Sequence, residues 1–404
     1  MSGKWVQITA QSNEFFDAYF TKPSKGSGPG VILLQEIFGV NESIRNIANY
    51  YAEEGYVVLA PDMFWRLDPR VELGYDPKSF NRAAQYYKEF DQKLAIQDIQ
   101  SCLSYLRTLP ECIGRVGALG FCLGGKLVHL AAGHTDIDCG VSYYGVGIEH
   151  ELDLVNKINC PMAYHFGEND EHITTAAVEQ IEVAFNKKNN VDIYKYSESG
   201  HGFANSNRDS FVKPDSMMAH SRSVALFRAS MGPFFNLSEL WDEHCYYEFG
   251  VRDVDETMRT MVNEPYVNHI PTMTGGVGFK DLKQFYTDHF IFSNPVDIKL
   301  IPISRTIGSD RIVDELLFCF THDREVDWML PGLEPTGKYV EIPLVAIVCF
   351  RGGKIYNEHI YWDQASVLVQ IGILDSQGLP IAGSETAKKL LDETLPSNEL
   401  MHRR

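Results

Sequence analysis

A short run of residues, Gly120-Phe121-Cys122-Leu123-Gly124-Gly125, restricts this chain more than any other feature, because it sits between the apolar run RVGALGF and a helical segment. A strand that turns directly into a helix presses backbone against backbone, and only small residues beside the turn permit that approach. The residue at the apex is held at a helix N-terminus, where the dipole favours thiolate over thiol. G-x-C-x-G-G is a cysteine form of the nucleophile elbow. Its bland alternative is a tight turn around a buried, inert cysteine.

Such an elbow needs a sheet behind it. The runs GVILLQ (30–35), YVVLAP (56–61), RVGALGF (115–121), CGVSYYG (139–145), PMAYHFG (161–167) and VDIYKYS (191–197) read as strands. Several are continuously apolar, as strands covered on both faces must be. Helical segments such as NESIRNIANYYAEEG (41–55) and LAIQDIQSCLSYLRTL (94–109) separate them. This alternation predicts a doubly wound, mostly parallel α/β sheet. A last helix stops near Gly232-Pro233.

Beyond it the pattern changes. The sequence predicts one long helix over about 237–261, a loop NEPYVNHIPTMTGG and a second helix FKDLKQFYTDHFI. Four strands follow without intervening helices: DIKLIPISRTI, DRIVDELLFCFTHD, YVEIPLVAIVCF and KIYNEHIYWD, the last two joined by a hairpin at Arg351-Gly352-Gly353. Helices first and strands afterwards predict an α+β domain with a curved antiparallel sheet. The division is thus 1–235, 238–375 and a polar tail, 376–404.

Composition narrows the partners. The formal net charge of −18 argues against nucleic acid and anionic membranes. Eight cysteines without a C-x-x-C pair indicate neither a disulfide framework nor a zinc site. No apolar run suits a signal peptide or a membrane span, so the expected setting is the cytoplasm. No metal or cofactor is expected.

A thiolate nucleophile needs a base and an anion to orient that base. In an elbow fold both follow the nucleophile in chain order, each after a strand. Asp170, in HFGENDEHI, and His201, in SESGHGFAN, meet that requirement. Glu36 follows GVILLQ, where a carboxylate can exchange a proton with the thiol. The N–H groups of Ile37 and Leu123 are the candidate oxyanion hole. Tyr144 and Trp65 are candidate pocket walls.

Together QEIFGVN, GFCLGG, YYGVG, GENDEHI and SGHGFA resemble the dienelactone hydrolases (carboxymethylenebutenolidases), over about residues 1–235. The resemblance implies an α/β-hydrolase fold and a Cys122–His201–Asp170 triad that opens an enol-lactone or related small ester through an acyl-enzyme. It also implies that Glu36 controls thiol ionisation. Two arginines would bind the substrate carboxylate: the first matches Arg82, while the second position holds Asn205, with Arg208 close by but shifted.

The segments NEPYVNHIP, FKDLKQFYTDHF and GGKIYNEHIYWDQASVL are similar to the SnoaL-like polyketide cyclases of the nuclear-transport-factor-like superfamily. That resemblance implies a cone-shaped α+β domain, a general-base Asp in a deep pocket and homodimerisation through the second domain. Period-two alternation places Asn357, His359, Tyr361 and Asp363 on one strand face, with Glu358, Ile360 and Trp362 on the other. Asp363, His359 and His269 are therefore the second-domain candidates. Three readings follow: a cysteine hydrolase of a small lactone or ester, a bifunctional hydrolase and cyclase or isomerase, and a non-catalytic scaffold on a hydrolase fold.

Overall fold

The apolar runs of the first half become the interior of an eight-stranded sheet in the computed structural model, which describes residues 3–402. Its strands are β1 (Lys4–Thr9), β2 (Phe15–Thr21), β3 (Gly28–Leu34), β4 (Val57–Pro61), β5 (Cys112–Phe121), β6 (Gly140–Tyr143), β7 (Met162–Gly167) and β8 (Val191–Tyr196). Their spatial order is β1-β2-β4-β3-β5-β6-β7-β8. Strands β3 to β8 run parallel, and β1 and β2 pair antiparallel at one edge. Every residue of β3, β4 and β6 is buried, which explains why these stretches carry no polar alternation.

Crossovers are made by α1 (Glu42–Glu53), α2 (Pro77–Glu89), α3 (Gln92–Thr108), α4 (Leu123–His134) and α5 (Thr175–Phe185). The side chain of Asn41 accepts the Ile44 N–H at the start of α1. Helix α6 (Lys213–Met231) ends at Gly232, as the sequence predicts. The antiparallel edge pair, β1 and β2, has no counterpart in the sequence reading.

The chain divides into two units, one ending at Phe234 and the other beginning at Phe235. In the second, the predicted long helix is three pieces: α7 (Leu237–Cys245), a π-helical turn (Tyr246–Val251) and α8 (Val254–Arg259). The predicted loop is a hairpin of β9 (Met261–His269) and β10 (Thr274–Val277). Pro265 conceals β9 in the sequence, and it falls where the register against the neighbouring strand shifts. Helix α9 (Phe279–Phe285) continues into another π-helical turn, Tyr286–Phe290. Strands β11 (Lys299–Ile307), β12 (Arg311–Thr321), β13 (Tyr339–Arg351) and β14 (Lys354–Trp362) complete a six-stranded sheet ordered β10-β9-β14-β13-β12-β11. It is antiparallel except between β14 and β9. Helix α10 (Gln364–Gln370) follows β14, and α11 (Glu385–Leu391) gives the tail an anchor: Ala387 is buried against Leu317 and Cys319. Among the described residues no helix is long and apolar enough to cross a membrane.

Candidate active site

The glycines beside Cys122 are required by contacts. A Cβ on Gly120 would lie 2.1 Å from the Gly124 carbonyl oxygen, and one on Gly124 would lie 2.2 Å from that of Leu34. The start of α4 therefore packs directly on the end of β3, and Gly124 N–H donates to Gln35 O at 2.9 Å. Cys122 occupies the apex with φ 54° and ψ −114°, a conformation that a side-chain-bearing residue holds only when its surroundings enforce it. Its N–H is tied to Tyr143 O at 3.0 Å.

Asp170 and His201 follow β7 and β8, so all three groups gather at the carboxyl ends of strands on one side of the sheet. Nδ1 of His201 lies 2.8 Å from Oδ2 of Asp170, and both residues are buried. The other carboxylate oxygen accepts the N–H groups of His172 (2.8 Å) and Ile173 (3.2 Å), which fixes its direction. Burial lowers the His201 pKa, but the Cys122 sulfur and the Asp170 carboxylate outweigh it and push the imidazole up to about 10. With Nδ1 engaged by Asp170, the other ring nitrogen is left for Cys122, whose sulfur is one of the groups that raise the imidazole pKa. Tyr144 packs edge-on against His201 at 5.0 Å, and the His172 ring does so at 4.8 Å.

Glu36 is fully buried and held by three donors. Its Oε2 accepts from the Tyr75 hydroxyl (3.1 Å) and Asn205 Nδ2 (2.9 Å), and its Oε1 pairs with Arg208 Nη1 at 3.2 Å. Asn205 thus occupies the place expected of a second arginine, and Arg208, three residues on, supplies the cation. Burial disfavours the Arg208 charge, but Glu36, Tyr144 and Cys122 favour it more strongly and raise its pKa. Burial and the neighbouring Glu36 carboxylate hold the Tyr144 phenol well above its ordinary range. Tyr75 carries no motif that marks it in the sequence; only the fold brings it to Glu36, and Asn205, marked in the sequence as the second arginine position, turns out to donate to Glu36.

Two expected groups are placed elsewhere. Arg82, on α2, turns to Asp68 at 2.7 Å and to Tyr86 at 2.9 Å, with more than half of its side chain exposed. Trp65 stacks on Phe16 at 5.5 Å, lies under the Arg66 guanidinium and donates to Asp98. Ile37 follows β3, and Leu123 opens α4, where a first-turn N–H has no intrahelical acceptor.

The second-domain candidates do not converge. Asp363 lies past the end of β14 and caps α10, accepting the N–H groups of Ala365 and Ser366. His359 is half-buried beside Tyr266, and Tyr361 is exposed. The inward face of β14 is the other one, carrying Glu358, Ile360 and Trp362, because the apolar pair takes the core side. Only His269 faces the interior, where it lies 4.7 Å from Trp328.

Residues 16–231 match the model of the dienelactone hydrolase family. Carboxymethylenebutenolidase 1 of Cupriavidus pinatubonensis is 34% identical over 229 residues, covering 56% of this chain and 97% of that protein. A carboxymethylenebutenolidase of a Pseudomonas species is 31% identical over 226 residues, covering 55% and 94%. A crystal structure of a dienelactone hydrolase-like promiscuous phosphotriesterase from metagenomic libraries aligns with a TM-score of 0.49 at 20% identity, over 57% of this chain and all of the other. The family match lies wholly within the first unit and ends at the last residue of α6. On these matches the chain belongs to the dienelactone hydrolase family, hydrolases of ester and lactone bonds.

Proposed function

We propose that the first unit hydrolyses a small enol-lactone or related ester through a thiolate at Cys122. The observation that carries this reading is the buried chain Cys122–His201–Asp170 at the apex of the elbow. The sulfur attacks the carbonyl carbon, and the N–H groups of Ile37 and Leu123 receive the developing oxyanion. Collapse of the tetrahedral adduct breaks the carbon–oxygen bond. His201, as the imidazolium, returns a proton to the departing oxygen. Neutral His201 then takes a proton from water, which attacks the thioester and frees the sulfur. Asp170 orients the imidazole and stabilises its charge throughout. Glu36, anchored by Tyr75, Asn205 and Arg208, manages the thiol proton.

The names of the relatives support a lactone as substrate. Arg208, the cation nearest Glu36, is the anchor for a substrate carboxylate, with Arg82 turned away toward Asp68. For the second unit, helices interrupted by one hairpin and then four strands of a mostly antiparallel sheet support the SnoaL-like reading.

The test is iodoacetamide labelling followed by intact mass across pH, run beside a panel of enol-lactones and aryl esters. Selective labelling of Cys122 near neutral pH, with parallel loss of hydrolysis, is expected. Slow and equal labelling of several cysteines while turnover persists would overturn the assignment.

A further inference from the structure

The second unit holds a polar cluster that the hydrolase chemistry does not use. His244 lies in the last turn of α7, Glu248 lies one turn further in the π-helical segment, and Glu358 lies on the inward face of β14. All three are buried. His244 Nε2 is 3.1 Å from a Glu248 oxygen and 3.3 Å from a Glu358 oxygen, and the three donor atoms lie within 4.8 Å of one another.

The tautomer of His244 is set by its other nitrogen. Nδ1 lies 2.6 Å from the Thr260 hydroxyl, and that hydroxyl donates its single proton to Thr257 O. Thr260 must therefore accept from Nδ1–H, which leaves a lone pair on Nε2 of the neutral ring, facing two carboxylates. Three acceptors facing one another need protons or a metal ion between them. One added proton satisfies a single carboxylate, and Glu358 Oε1 is the buried oxygen left without a well-formed hydrogen bond. An imidazolium between two carboxylates would also leave a net negative charge beside a cavity lined by no lysine or arginine.

That cavity is about 40 Å³, bounded by Glu248, Glu358, Tyr286 and aromatic side chains. It holds a water or two and is far below the few hundred Å³ that an organic substrate needs. The Tyr286 hydroxyl borders it without a well-formed hydrogen bond. Both π-helical turns of the unit lie here, one carrying Glu248 and the other beginning at Tyr286. Such turns are frequent at functional sites.

We propose that His244 Nε2, Glu248 and Glu358 bind one divalent metal ion, whose water ligand occupies the cavity beside Tyr286. Bonds of about 2.1 Å at tetrahedral angles separate ligand atoms by roughly 3.4 Å, close to the spacings of His244 from its two carboxylates. Neutral imidazole, two carboxylates and a divalent ion sum to zero charge. One nitrogen and two oxygens suit Mn²⁺, Fe²⁺ or Zn²⁺ over Ca²⁺ or Cu⁺. Three protein ligands and a bound water are the arrangement of an open site.

Co²⁺ and Mn²⁺ serve as probes on the chelator-treated full chain. Calorimetry is expected to give one tight Co²⁺ per chain, with a visible d–d spectrum that lacks a thiolate charge-transfer band. Glu248→Gln and Glu358→Gln are each expected to weaken binding by more than tenfold, with the near-UV circular dichroism of the second unit's buried Trp241, Trp328 and Trp362, matched to wild type, as the check on folding. Pulsed EPR of the Mn²⁺-loaded wild-type chain is expected to show coupling to one imidazole nitrogen, a readout that needs no variant to fold. The proposal falls if no saturable one-to-one site exists, if binding survives both substitutions, if a thiolate band marks the site, or if the nitrogen coupling is absent.

Discussion

Cys122 is the residue on which the hydrolase reading turns. Cys122→Ala is expected to lower kcat/KM for enol-lactones by at least about 10³-fold, while Asp170→Asn, which keeps the shape but loses the anion, lowers kcat by roughly 10²–10⁴-fold. Steady-state kinetics on both variants check this. His201 adds a pH signature. Its imidazole titrates near 6.5 in an unfolded chain and is pushed up to about 10 in the fold by Cys122 and Asp170 against burial. The folded state therefore binds the extra proton between these values. The stability this contributes is complete below about pH 6.5 and is lost as pH rises through 10. Thermal unfolding should show Tm falling less between pH 7 and 10 in His201→Gln than in wild type. At this scale Cys122, Asp170 and His201 stood out as candidates because each follows a strand in a fixed chain order. Arg82 was not: a helix-borne arginine has several carboxylates within reach, and only tertiary placement selects Asp68.

The elbow and the β14–α10 junction carry the element-scale tests. Gly124→Ala drives a methyl group into the Leu34 carbonyl, and neither backbone can retreat without opening the contact between β3 and α4. A loss of about 1–3 kcal/mol or more is expected in denaturant unfolding. Asp363→Ala removes the cap of α10 and costs about 1 kcal/mol, with hydrolysis unchanged. A larger effect on any turnover by the second unit would restore Asp363 as a base. Apolar runs showed where the parallel strands lie because burial on both faces leaves no alternation to misread. Alternation along β14 separated two faces but not which of them meets the core; Ile360 and Trp362 decided that, carrying Glu358 inward. The broken helix was hidden for another reason. The buried positions Trp241, His244 and Glu248 keep helical spacing up to the π-helical turn, so nothing in the residue pattern announces the break at Tyr246–Val251.

For the whole molecule, the net charge of −18 acts on every encounter with an anionic substrate. Self-repulsion should make kcat/KM for a carboxylate-bearing lactone rise with ionic strength, while that for a neutral aryl ester stays flat. A fall for the anionic lactone would mean that the local field of Arg208 governs capture. Domain order was readable because alternating strands and helices give way to uninterrupted strands, whereas the packing of the tail was not, since only Ala387 and the half-buried Leu390 in a polar stretch carry it. Each unit is built from one continuous stretch of chain, with its own sheet and core. On the ribosome this sets a sequence of events. At roughly 5–20 residues per second, the first unit has emerged on the order of ten seconds before synthesis reaches the tail. The strained turn at Cys122 can therefore close while the rest of the chain is still being translated.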